Sequence, residues 1–193
     1  METQLLTLLR TRKATRAISG RPVEAEKLEA ILEAARLSAS CANNQPWRFL
    51  VLTGPEALEK GREALSRGNY WAKTAPVLIF GYSRPDLDCI IAETREYDLF
   101  DLGMAVQNIL LQATELGLVA RPMAGFSPQK VRQAFGFPDG YQIMVAIAIG
   151  YEGDISTLEE RHQEISRAPR QRRPLAEVAF FDQPRFDLDG VSP

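Results

Sequence analysis

The sequence predicts one compact domain of mixed helices and strands, an α/β-type fold. Three observations carry this. Apolar residues recur at helical spacing in VEAEKLEAILEAARLSA. The runs VLIFGYS and YQIMVAIAIGY are short and almost wholly apolar, as buried strands are. Such elements alternate along the chain, with no internal repeat and no low-complexity tract. At 193 residues the chain can build one proper core, so residues 1–193 are read as a single domain.

Taken in order, Leu5, Leu6, Leu8 and Leu9 fit a short amphipathic helix. After Pro22, Leu28, Ile31, Leu32 and Ala35 fall at i, i+3, i+4 and i+7 of a second helix. Arg48 to Thr53 predicts a strand, and Pro55 opens a helix to about Leu65. GNYWAKTAP is a loop or short helix, VLIFGYS a strand, and SRPDLDC a loop. A long helix follows, from about Glu93 to Gly117. Its second half is apolar around most of its girth, which suits a core or an interface, with Gly117 as its cap. LVARPMAGF is a strand and turn, and SPQKVRQAFG a helix with Ser127 as N-cap and Pro128 at its first position. YQIMVAIAIGY predicts a central strand. Beyond Glu152 come a weak helix, an arginine-rich patch and an aromatic tail that no core of its own explains.

Composition narrows the chemistry. A net charge of −2 gives no general attraction to nucleic acid or membranes. The N-terminus lacks the pattern of a signal peptide and no apolar run is long enough to span a bilayer, so the cytoplasm is the expected location. Cys41 and Cys89 form no close pair, and the sequence predicts neither a disulfide scaffold nor a thiolate metal site. The single histidine, His162, sits among charged neighbours and is expected on a solvated helix face. One histidine leaves no basis for a multi-histidine zinc site and little for a Ser-His-Asp triad, so a bound cofactor is expected to carry any reaction.

Four stretches have chemical character. In Arg10–Arg16, a helix would place Arg12 and Arg16 on one face with Lys13 nearby, fit either to hold a phosphate or to end a helix in solvent. In Ala168–Pro174, an extended chain points Arg170 and Arg172 the same way, toward one anion or toward solvent. SASCANNQPW offers paired amide donors and acceptors, suited to a planar polar ring or to the loop's own backbone. In RPMAGF, Gly125 either lets backbone approach a ligand or makes an ordinary turn. Together, two cationic clusters and an amide-rich loop suggest phosphate plus ring, a nucleotide. Neither G-x-G-x-x-G nor G-x-x-x-x-G-K-[ST] is present. A flavin mononucleotide held by side chains fits the inventory.

These segments resemble the FMN-dependent nitroreductase family over nearly the whole chain. Ala39-Ser-Cys-Ala-Asn-Asn-Gln-Pro-Trp47 matches the family's P-S-x-x-N-x-Q-P-W with Ala39 in place of the proline. Arg12-Lys-Ala-Thr-Arg16 matches R-[RK]-S-x-R with Ala14 in place of serine. Asp101–Gly117 is similar to the family's core helix, Pro122–Phe126 to the turn beside the flavin's reactive edge, and Arg170–Pro174 to the late [KR]-x-R-x-P. Many members carry glutamate where this chain has Ala124.

The resemblance implies an α+β fold, a mostly antiparallel sheet flanked by helices, in an intertwined homodimer. Residues from about 175 to 193 would form an arm around the partner. FMN would contact Arg12, Lys13, Ala14, Arg16, Asn43, Gln45, Pro122, Met123, Ala124, Gly125, Arg170 and Arg172 of one chain and Ser40 of the other. Trp47 would anchor the amide loop. The implied reaction passes hydride from NADH or NADPH through FMN to a nitroaromatic, a quinone or a similar small acceptor, in ping-pong fashion and with no catalytic side chain. Backbone near Ala124 and Gly125 would steady the reduced ring. The alternatives are other flavin chemistry of the family (dehalogenation, ring oxidation, flavin fragmentation) or an FMN-binding module without turnover.

Overall fold

A computed structural model describes residues 5–90 and 95–185. Helices α1 (Thr7–Thr11), α2 (Ala25–Arg36), α3 (Pro55–Glu63), α4 (Tyr97–Glu115), α5 (Pro128–Phe135) and α6 (Glu160–Arg167) surround strands β1 (Arg48–Leu52), β2 (Val77–Ser83), β3 (Val119–Met123) and β4 (Gln142–Gly150). The expected helix start at Glu93 and the tail's Phe186 lie outside the described residues.

The sheet is antiparallel throughout, in the order β1-β2-β4-β3. The fold is therefore α+β, as the resemblance implies. The two inner strands are the two apolar runs, and they are apolar on both faces because both faces are covered. Leu78, Phe80, Ala146 and Ala148 join one core with Leu58 and Val131. Val77, Ile79, Ile147 and Ile149 point the other way and join Ile31, Ala35, Leu102 and Ile109. The period of two sorts them. Ile79 pairs with Val51 on one side and Ile147 on the other, so register aligns large side chains across the sheet.

Local sequence accounts for most boundaries. Ile31 and Ala35 of α2 are buried on one stripe. The apolar helix α4 lies in the core, with Leu102, Ala105, Ile109 and Ala113 buried. Gly117 takes φ +71° just beyond it, a left-handed cap that glycine adopts at no steric cost. The Ser127 hydroxyl accepts the Lys130 N–H at 3.3 Å, the expected N-cap of α5. Pro122 is tolerated within β3 because that strand pairs on one side only. Among the described residues no helix is long and apolar enough to cross a membrane.

Candidate functional site

Helix α1 stops at Thr11, so the helical placement of Arg12 and Arg16 on one face does not hold. Two sets of contacts end it. The Arg170 guanidinium donates to the carbonyls of Leu9 (3.1 Å), Arg10 (3.0 Å) and Arg12 (3.3 Å), capping the helix with charge. Residues 17–19 then run beside the chain leaving β4. Ser19 N–H donates to Tyr151 O and Gly153 N–H to Ala17 O, both at 2.9 Å. Ala17 and Ile18 are buried there, and the Thr74 hydroxyl donates to Ile18 O. Arg16 thus projects from a fixed base.

Around that base cations collect. Burial pushes the Arg12 guanidinium below its usual value, and neighbouring Arg170 and Arg172 add to this. Arg16 is lowered in the same way by burial, with Arg161 beside it. Arg121, on β3, is pushed down to about 10, chiefly by burial and then by Arg16. Its guanidinium lies 5.2 Å from the centre of the Trp71 ring. Among the described residues, no carboxylate pairs with Arg12, Arg16 or Arg121. Half-buried positive charge without a counter-ion is the electrostatic form of an anion site.

His162 belongs to this group. It is half-buried, which corrects the expectation of a solvated helix face. Its ring stacks on Tyr70, with centroids 5.6 Å apart. The Tyr70 hydroxyl accepts the Glu159 N–H at 2.7 Å and lies 3.2 Å from His162 Nδ1. Burial, then Arg16, lowers the imidazole. Its Nδ1 faces the Tyr70 hydroxyl, and burial favours the neutral ring. Lys13 is exposed on a cavity of about 190 Å³ shared with Thr11, Thr15 and Glu152, and Ala14 is exposed beside it. Arg172 is exposed and donates to Gln171 O at 2.6 Å. The larger cavity, about 650 Å³, is lined by tail residues alone, among them Leu175, Phe180 and Phe181, and does not include the arginines above.

The amide loop is held in unusual backbone. Ala42, Asn43 and Gln45 have φ of 47°, 58° and 52°, which non-glycine residues adopt at a cost. The loop compensates with its own bonds. Ser40 Oγ accepts the Gln45 N–H at 3.0 Å, and Gln45 Nε2 donates to Asn43 O at 3.0 Å. Trp47 is buried and Pro46 O accepts the buried Ser83 hydroxyl, so the loop is anchored as expected. The Asn43 side chain is exposed and makes no hydrogen bond among the described residues.

Cys41 and Cys89 form a disulfide, with Cα atoms 6.2 Å apart, although their spacing predicts no disulfide scaffold. The residues are 48 apart in sequence. They meet because β1 and β2 pair antiparallel from Arg48↔Tyr82, which sets the entry to β1 beside the exit from β2. Asp101 Oδ2 accepts the Cys41 N–H at 2.8 Å. Burial raises the carboxyls of Asp101 and Asp98, and neighbouring Asp88 adds to both.

At the end of β3, Gly125 O accepts the Ser66 N–H (2.9 Å) and Asn69 Nδ2 (2.7 Å). A Cβ on Gly125 would stand 2.6 Å from Ser66 Oγ and 2.8 Å from Asn69 Nδ2, so any larger residue there must push both side chains aside. The Gly125 N–H takes part in no hydrogen bond among the described residues. Met123 is buried, Pro122 half-buried and Ala124 exposed.

The chain thus gathers Arg12 with Arg170 and Arg172, and Arg16 with Arg121. It leaves the Ser40–Gln45 loop without a described bond to either group. Sequence reasoning missed Arg121, Tyr70 and Asn69. Asn69 breaks the helical turns of Arg67–Thr74 at φ −103°, and the GN pair was its one local signal.

The nitroreductase family profile matches residues 9–151. A crystal structure of an FMN-containing oxidoreductase superposes with a TM-score of 0.83 at 34% identity, covering 95% of this chain and 94% of the other. A complex with FMN from Desulfovibrio desulfuricans, provisionally called a nitroreductase, gives 0.72 at 27% identity over 96% and 99%. An Archaeoglobus fulgidus protein with the provisional name NADH dehydrogenase/NAD(P)H nitroreductase is 30% identical over 158 residues, 78% of this chain and 87% of its own. With the profile covering most of the chain and the fold shared over 95% of it, this protein belongs to the nitroreductase family.

Proposed function

We propose that this protein is an FMN-dependent oxidoreductase that carries electrons from NADH or NADPH to a small nitroaromatic, quinone or similar acceptor, donor and acceptor taking turns in one place. The observation that supports it most is the half-buried arginine group without a carboxylate partner, in a chain whose relatives contain FMN.

The residues fit that cofactor. Arg12, Arg16 and Arg172 would hold its phosphate through charge-assisted bonds, with Lys13 at the rim. Arg170 fixes the end of α1 and the backbone of Arg12. The unengaged Gly125 N–H and the exposed Asn43 amide supply polar groups for a planar ring, with Gln45 holding the loop that carries Asn43. Pro122, Met123 and Ala124 shape the backbone toward that turn, and Ala14 would meet the cofactor through its backbone. Bound FMN would supply two-electron transfer between donor and acceptor. The protein's part is to bind, orient and stabilise negative charge through backbone N–H groups.

We assign Ser40 to the site of a second copy, in a homodimer. Leu175, Val178 and Phe181 of the tail are 74%, 60% and 89% exposed, an apolar arm that a second chain would cover. The test is the double variant Arg16→Ala with Arg172→Ala. It should stay folded by circular dichroism and purify without FMN. Unchanged flavin content in the folded variant refutes the assignment.

A further inference from the structure

We propose that Cys41, Asp88 and Cys89 form a cation site, open when the two cysteines are reduced, that takes one soft divalent ion of the Zn²⁺ class. The disulfide is the closed, oxidised state of the same site.

The donors already converge. The two sulfurs and a carboxylate oxygen of Asp88 all lie within 4.8 Å of one another. Asp88 is 7% exposed. Its Oδ1 accepts the Cys89 N–H at 2.7 Å and Asn44 Nδ2 at 3.3 Å, which fixes the carboxylate and leaves Oδ2 buried without a partner. Behind it stand Asp101, 0% exposed with Oδ1 unpartnered, and Asp98, 1% exposed with both oxygens unpartnered. Four buried carboxylate oxygens therefore lack partners, and among the described residues no basic side chain forms an ion pair with any of them. A buried carboxyl is stabilised by a proton or by a bound cation, and this cluster offers a cation that place.

The ligand types choose the ion. Two thiolates with one carboxylate favour zinc-like ions over magnesium or calcium, which prefer oxygen alone. Zinc–sulfur bonds of about 2.3 Å at a tetrahedral centre need sulfurs ~3.8 Å apart. Cα atoms 6.2 Å apart allow that by side-chain rotation. The fourth place falls to water. The chemistry balances. Two electrons and two protons from a dithiol or phosphine reductant turn the disulfide into two thiols, and the incoming ion displaces both thiol protons to solvent. Either link, disulfide or ion, ties the strained Ala42–Gln45 loop to the exit of β2.

The test uses the full chain with whatever flavin it carries. It is reduced with tris(2-carboxyethyl)phosphine, freed of reductant under nitrogen and titrated with Co²⁺. Tetrahedral thiolate–Co²⁺ bands in the red, beyond flavin absorption, should saturate at one equivalent and vanish on adding Zn²⁺. The oxidised protein and the Cys89→Ser variant should show none, and Asp88→Asn should weaken binding at least tenfold. No bands in the reduced wild-type protein, or equal bands in the oxidised one, overturn the proposal. That comparison needs no variant, so poor folding of a variant cannot obscure it.

Discussion

Gly153→Ala tests how the arginine segment is held. A Cβ at Gly153 would lie 2.9 Å from Ser19 N, 3.0 Å from Ile18 C and 3.3 Å from Ile18 O. All three are backbone atoms, so no side chain can swing aside. Relief requires residues 17–19 to move away by roughly half an ångström, into the range of ordinary van der Waals contact. That stretches the 2.9 Å bond from Gly153 N–H to Ala17 O beyond useful length. Overpacking costs about 1–3 kcal/mol and the lost hydrogen bond about 1 kcal/mol. Taking ~2 kcal/mol as the low end, the melting temperature should fall by about 4–8 °C for a chain of this size. Because the moved segment carries Arg16, FMN affinity should fall as well, beyond what the remaining folded fraction explains. Differential scanning calorimetry and flavin fluorescence titration measure the two effects. A variant with wild-type melting and wild-type affinity would refute the reasoning that this bridge positions Arg16.

Two further perturbations follow from the same geometry. The imidazole of His162 is held below its unfolded value of about 6.5, so its contribution to stability is present above that pH and is lost as pH falls through the folded value. The raised carboxyls of Asp98 and Asp101 work in the opposite sense, gaining stability as pH falls through their folded values. Subtracting the melting curves of His162→Gln from wild type between neutral and acid pH isolates the histidine, and identical slopes would contradict its assignment. Asn69→Ala removes the 2.7 Å bond to Gly125 O, should cost about 1 kcal/mol, and should weaken FMN binding more than a Gln129→Ala control on the exposed face of α5. Equal affinities in the two variants would remove Asn69 from the site.

Much of the fold was legible because it is written locally. Leu28, Ile31, Leu32 and Ala35 mark α2 by spacing alone, and Ser127-Pro128 marks the start of α5. VLIFGYS and YQIMVAIAIGY announce strands covered on both faces. What failed to show was set by tertiary contact. The end of α1 depends on Arg170, 158 residues beyond Arg12. The Cys41–Cys89 link depends on the pairing of β1 with β2, which no local motif encodes. Arg121 sits in a strand as any edge arginine would, and only Trp71 and Arg16 make it part of an anion site. His162 looks solvated among its charged neighbours, yet Tyr70 covers it from 92 positions away.

One measurement bears on the central proposal most directly. The visible spectrum of the purified protein is recorded, FMN is added, and then NADPH or NADH is supplied under nitrogen. Flavin bands that shift on binding and bleach with a nicotinamide are the predicted result. A protein that stays colourless and leaves added FMN unbound would contradict the proposal.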